Sequence, residues 1–193
     1  MNIINYKNLA DSIDFYSERG YQNIEVPWYV TSDIMEITRP SFVSPDDDYY
    51  LPKNNKVLVA SAEQSFIYLM VKGLLPEGFY QGVTPCYRFE KINALHRKCF
   101  MKNELIYVTY DMTKDISPIL SKVIGDAQTF FETVIKDKAM IVDSPQENST
   151  VNLDLMYKDQ ELGSYGIRNY KNLFQWVYGT GCAEPRLSIL KKL

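Results

Sequence analysis

From Tyr80 to Ala183 the chain reads as strand after strand, with one long helical stretch among them and no regular alternation of strand and helix. Tyr80–Glu90 and Lys98–Tyr110 are rich in β-branched and aromatic residues, and the polar Lys91–Arg97 between them has the length of a hairpin loop. Ala139–Val142, Thr150–Tyr157, Glu161–Arg168 and Trp176–Ala183 follow as further strands. Parallel neighbours need long crossovers, usually helical. Strands this close together in sequence therefore specify an antiparallel sheet flanked by helices, an α+β fold.

The helices are legible by period. Leu9, Ile13 and Tyr16 recur at helical spacing before Gly20, a natural helix stop. Ala62 to about Gly73 is a second helix. Pro118–Lys136 is a third, with Ile119, Leu120, Val123, Ile124, Phe130, Phe131 and Val134 on its buried side. Pro185–Leu193 opens with proline at a first helical position and repeats leucine and isoleucine along one side. Asn23–Val30 reads as a strand; Pro27 cannot donate to a ladder, so this strand belongs at an edge, bulge or interface. Ser44–Lys56 is a loop by composition, and Val57–Ala60 a short strand after it.

The 193 residues suit one domain, spanning 1–193. No apolar run approaches the roughly 20 residues of a bilayer span, and Met1–Lys7 lacks the pattern of an export signal, so a cytoplasmic protein without a membrane partner is expected. Cys86, Cys99 and Cys182 are odd in number and scattered, which fits reduced, structural cysteines. A net charge of -3 and a pI near 5.3 argue against a broad basic face for nucleic acid, so any RNA contact is local.

Three segments carry candidate chemistry. Arg88 and Glu90 are two apart on a strand and emerge on one face, where a guanidinium grips a phosphate and a carboxylate accepts from an amino group. Phe100 on the returning strand offers a ring to a purine, and His96 or Arg97 reaches outer phosphates. The plainer reading of these letters is a surface hairpin with a solvated ion pair. Gly179-Thr180-Gly181 followed by Arg186 sets glycines, which allow close backbone approach, before an anion-attracting helix start; its alternative is a strand bulge and capping turn. Glu161, followed by Leu162, Gly163 and Ser164, suits a carboxylate holding Mg²⁺ against phosphates, or else a hairpin acid paired with Arg168. Apart from these three, Ser61-Ala62-Glu63-Gln64 reads from its letters as a helix start with a capping box.

The order of these segments resembles the class II aminoacyl-tRNA synthetase catalytic core. Ser12 to Pro27 is similar to its motif 1, Arg88-Phe89-Glu90 with His96 and Phe100 to motif 2, and Gly179-Thr180-Gly181 with Arg186 to motif 3. The resemblance implies ATP-dependent activation of an amino acid as an aminoacyl adenylate, with transfer to tRNA, a protein or a small-molecule acceptor. It implies that Arg88 and Arg186 are catalytic and bind ATP, Arg88 at the α-phosphate and Arg186 with His96 or Arg97 at the γ-phosphate. Glu90 would take the adenine amino group, Phe100 would stack on adenine, Glu161 would bind Mg²⁺, and Ser61-Ala62-Glu63-Gln64, similar to a family segment that contributes to amino acid binding, would bring Glu63 or Gln64 to the α-ammonium. It further implies a homodimer through the motif 1 region. The chain departs from the family in having Glu184-Pro185 ahead of Arg186 and a short final helix, and the expectation is a single catalytic domain without an anticodon-binding domain. Those departures leave a second expectation, a catalytically inactive paralogue acting as a binding or regulatory subunit.

Overall fold

A computed structural model describes residues 4–52, 55–89, 92–93, 95–146 and 148–192. Among these, α1 (Tyr6–Ser17) leads to β1 (Gln22–Asn23), β2 (Tyr29–Thr31), α2 (Ser32–Glu36), β3 (Lys56–Leu58) and α3 (Ala62–Val71). Then come β4 (Gly78–Tyr87), β5 (Cys99–Thr109), α4 (Ser117–Ile135), β6 (Met140–Asp143), β7 (Val151–Tyr157), β8 (Gln160–Tyr170), β9 (Phe174–Glu184) and α5 (Arg186–Leu190). Seven strands form one sheet in the order β1-β4-β5-β9-β8-β7-β6, and β2 and β3 form a separate antiparallel pair. Every neighbour in the large sheet is antiparallel except β1, which runs parallel to β4 at the edge.

The expected strand at Asn23–Val30 is two short strands in two sheets. Ile24 still donates to the Gln81 carbonyl, but Pro27 turns its own carbonyl to the Ser65 hydroxyl at 2.5 Å, and pairing resumes only at Tyr29. The loop expected over Ser44–Lys56 contains a single 3-10 turn at Pro45–Asp47. The final helix is shorter than its leucine pattern promised: Pro185 is its N-cap, and Leu187 and Leu190 are its buried residues.

Each sheet face has its own core. On one face α1 and α4 pack Leu9, Tyr16, Leu120, Val123, Ile124, Phe130 and Phe131 against Leu105, Leu155, Tyr165 and Val177. Burying each of the large side chains contributes about 1.5–3 kcal/mol. On the other face α3 and the β2–β3 pair cover Tyr80, Ile106, Val108 and Trp176 with Phe66, Ile67, Val57 and Val59. That cover leaves parts of β5, β8 and β9 open, and the open strip is the floor of a cleft.

The glycines of β9 serve the closed face. A Cβ on Gly179 would meet Tyr165 Cδ1 at 2.4 Å, and one on Gly181 would meet Tyr16 Cε2 at 2.9 Å. Tyr16 donates to the Gly181 carbonyl and Tyr165 to the Thr180 carbonyl, so the expectation that these glycines admit a ligand is corrected: they admit the two tyrosines. A bulge at Gly181 then exchanges the faces of β9, turning Cys182 to the core and Ala183 to the cleft.

Gly179→Ala is expected to lower the unfolding free energy by about 1–3 kcal/mol through overpacking, read by urea denaturation; an unchanged midpoint contradicts this packing. At the sheet end remote from the cleft, Glu77 accepts from Lys114, Tyr107 and Thr109, and Lys114 above all holds its pKa down to about 2 from 4.5. A depressed carboxylate stabilises the fold above its unfolded pKa and loses that contribution as pH falls through the folded value. Stability should therefore decline from about pH 4.5 toward about 2, and Glu77→Gln should flatten that part of a thermal-unfolding profile.

Candidate active site

The cleft encloses about 560 Å³, within the range of small-molecule sites. Strand alternation builds its floor: Phe100, Lys102 and Glu104 rise from β5, Tyr178 and Thr180 from β9, and Glu161, Ser164 and Arg168 from β8. The start of α3 supplies one wall through Ser61, Glu63 and Gln64, and the segment after α2 supplies another. In that segment Arg39 grips Asp48 with two guanidinium nitrogens, at 2.5 and 2.9 Å, and also holds Glu36 at 2.9 Å.

Of the residues expected from sequence, Arg88, His96, Phe100, Glu161, Arg186, Glu63 and Gln64 line this cleft. Arg97 opens onto a small adjoining recess shared with Arg88, His96, Phe100 and Arg186. Glu90 lies outside the described residues. Arg88 follows the end of β4, where its Nε donates to the Ala60 carbonyl at 3.0 Å and its guanidinium carbon lies 5.2 Å from the Phe100 ring centroid. Asn93 and His96 Nδ1 are 2.8 Å apart in the loop between β4 and β5. Glu161 pairs with Arg186 at 2.7 Å and not with Arg168 across its hairpin.

The α3 start serves local structure and the cleft together. Ser61 and Gln64 form the capping box, and the Gln64 amide also donates to Thr38 at 2.8 Å. Both carboxylate oxygens of Glu63 accept from Arg168, at 2.6 and 2.8 Å, and the Trp176 indole donates to Glu63 at 2.8 Å. Beside them the Lys102 ammonium meets Glu104 at 2.5 Å, and the Ser61 hydroxyl donates to the same carboxylate. Tyr178 donates to Asn152 and lies within 2.8 Å of the Ser149 hydroxyl; burial above all pushes its pKa up to about 12, so it is a neutral donor at physiological pH.

Sequence reasoning missed Lys102, Glu104 and Tyr178, and it offered Arg168 to Glu161 where the structure pairs it with Glu63. A charge at every second position of an otherwise apolar strand, as in Lys102-Asn103-Glu104, was the available signal.

Glu161 suits the single-carboxylate mode in which Mg²⁺ completes its shell with phosphate oxygens and water. No group of three or more metal-ligating side chains occurs among the described residues.

Neither a protein-family profile nor a curated protein sequence matches the chain. Solved structures do. The cytoplasmic serine-tRNA ligase of Naegleria fowleri in complex with AMP matches with a TM-score of 0.75 at 20% identity, over 95% of this chain and 47% of that one. The fold is that of the class II aminoacyl-tRNA synthetase catalytic core. Pyrrolysyl-tRNA synthetase of Desulfitobacterium hafniense shares this class II fold, with a TM-score of 0.75 at 14% identity, over 97% of this chain and 69% of that one. Seryl-tRNA synthetase of Pyrococcus horikoshii complexed with ATP gives 0.75 at 17% identity, over 93% and 48%. The chain thus spans about half the length of the two seryl enzymes. In this chain the open strip over β5, β9 and β8 gathers Phe100, Lys102, Glu161, Arg168, Tyr178 and Thr180.

Breaking the buried Lys102–Glu104 pair leaves an uncompensated carboxylate. Lys102→Met is expected to destabilise the protein by about 3–5 kcal/mol, with Lys102→Met/Glu104→Leu regaining most of the loss in denaturant titrations. A double variant no better than the single one would contradict the pairing.

Proposed function

We propose that the protein activates an amino acid with ATP, forming an aminoacyl adenylate and pyrophosphate, and passes the aminoacyl group to tRNA or to a non-tRNA acceptor. The observation that carries this reading is the convergence of Arg88, His96, Phe100, Glu161 and Arg186 on one cleft of a class II fold. Support comes also from two neighbours of the same fold, one crystallised with AMP and one with ATP.

In this reading Arg88 holds the α-phosphate, Phe100 takes the adenine ring, and Arg186 with His96 or Arg97 takes the γ-phosphate. Arg186 exchanges its bond to Glu161 for phosphate oxygens, which frees that carboxylate for a metal. Glu161 would hold a Mg²⁺ ion, whose chemistry there would be charge neutralisation at the phosphates. Glu63 receives the α-ammonium, its carboxylate fixed by Arg168 and Trp176. The substrate carboxylate is the nucleophile, so the protein's part is to orient and to neutralise charge.

The same reading takes the chain as a homodimer through the motif 1 region. β1 is an edge strand of the large sheet, and Trp28 and Tyr29 nearby are exposed. Three free cysteines fit the reducing cytoplasm. No helix among the described residues is long and apolar enough to cross a membrane.

The test is exchange of labelled pyrophosphate into ATP with Mg²⁺ and a pool of the twenty amino acids. Amino-acid-dependent exchange is expected, reduced about 10²–10³-fold in Arg88→Ala and Arg186→Ala, with thermal unfolding confirming that both variants fold. A folded wild-type chain that binds ATP without exchange would replace this reading with that of a binding or regulatory paralogue.

A further inference from the structure

We infer that the acid activated is an α-amino acid with a small, uncharged, hydrogen-bonding side chain. The inference rests on the adenylate-forming reading above and concerns the other end of the same cleft.

The three floor strands run from one chemistry to another. Along β8 the cleft passes from Glu161 to Ser164 to Arg168, and along β9 from Ala183 to Thr180 to Tyr178. At about 3.3 Å per residue the β8 path covers roughly 20 Å, room for a nucleotide and then a small acid. The phosphate-binding cations, Arg88 and Arg186, belong to the first end.

Charge at the second end is already balanced. Glu63 is matched by Arg168 at 2.6 Å and Glu104 by Lys102 at 2.5 Å, and all four side chains are nearly buried. An amino acid's ammonium and carboxylate offset one another, so only its side chain would add net charge here. A carboxylate or ammonium on that side chain would find these buried charges of both signs already matched.

Polarity follows from the floor. Thr180 brings a hydroxyl group to this floor, and the Ser164 and Tyr178 hydroxyls beside it are held by Asn152. The Tyr178 ring face is covered by the Arg168 guanidinium at 4.2 Å, which removes it as an apolar surface. The apolar lining residues Met35, Phe42 and Val43 come from the wall across from the sheet.

Size follows from how tightly Tyr178 lies on β8. A Cβ on Gly166 would meet the Tyr178 hydroxyl oxygen at 2.5 Å, so the ring rests directly against that strand and fills the floor. Ser149 and Asn152 fix its hydroxyl from behind. The cleft of about 560 Å³ must also take the nucleotide.

The experiment measures pyrophosphate exchange with each amino acid singly. Amino acids with a hydroxyl, thiol or amide side chain are expected to lead, with kcat/KM at least about tenfold above alanine and valine, since a site built to hydrogen-bond rejects analogues lacking the group. Thr180→Val should shrink that margin while leaving ATP binding intact; should Thr180→Val fail to fold, Thr180→Ala provides the same reading. Exchange led by leucine, phenylalanine, lysine or aspartate overturns the inference and leaves adenylate formation standing. Silence with all twenty overturns adenylate formation and this inference with it.

Discussion

Glu63 and Arg168 are 105 residues apart in sequence and meet through both carboxylate oxygens inside the protein. Their pairing fixes the first turn of α3 to β8, with Trp176 of β9 as a third anchor. Without it the helix wall and the sheet floor would each present a buried, unmatched charge, at a cost of several kcal/mol. The cleft exists because the helix covers only part of the sheet, and this pair sets where the cover ends. Lys102 and Glu104 solve the same problem two strands away on β5, with the Ser61 cap residue bonded to Glu104.

The two faces of the sheet thus divide the labour. The face under α1 and α4 is apolar and close-packed, to the point that β9 carries glycine wherever Tyr16 and Tyr165 press on it. The cleft face carries matched charges and hydroxyls on the same strands. Bulges allow one strand to serve both: at Gly181 the alternation shifts, so Thr180 and Ala183 both reach the cleft while Cys182 turns to the core. A site held on sheet strands is stiff, which suits chemistry that depends on position more than on proton transfer.

Much of this was legible in the sequence, for reasons that differ by element. The spacing of Leu120, Val123, Ile124 and Phe131 gave α4, and the run of strand formers without crossovers gave the antiparallel sheet. The Arg88, Phe100, Glu161 and Arg186 set was legible because its spacing resembles that of known motifs. Its convergence on one cleft is a property of strand order that spacing alone does not contain. The parallel pairing of β1 was hidden because a two-residue strand has no period to read, and α2, five residues long, was hidden likewise. Arg168 was offered to the nearby Glu161 because its true partner, Glu63, is tertiary, and Lys102 was missed because a charge pair within one strand looks the same whether it meets solvent or is buried.

The most direct test of the central idea, one cleft serving nucleotide and acid together, is a crystal structure of the chain with ATP and Mg²⁺. The expected result places adenine against Phe100, phosphates between Arg88 and Arg186 with the Glu161–Arg186 bond opened, and the space beside Tyr178 and Thr180 still free for the acid. Nucleotide bound elsewhere, or in this cleft with its phosphates against Arg168 and Lys102, would contradict it.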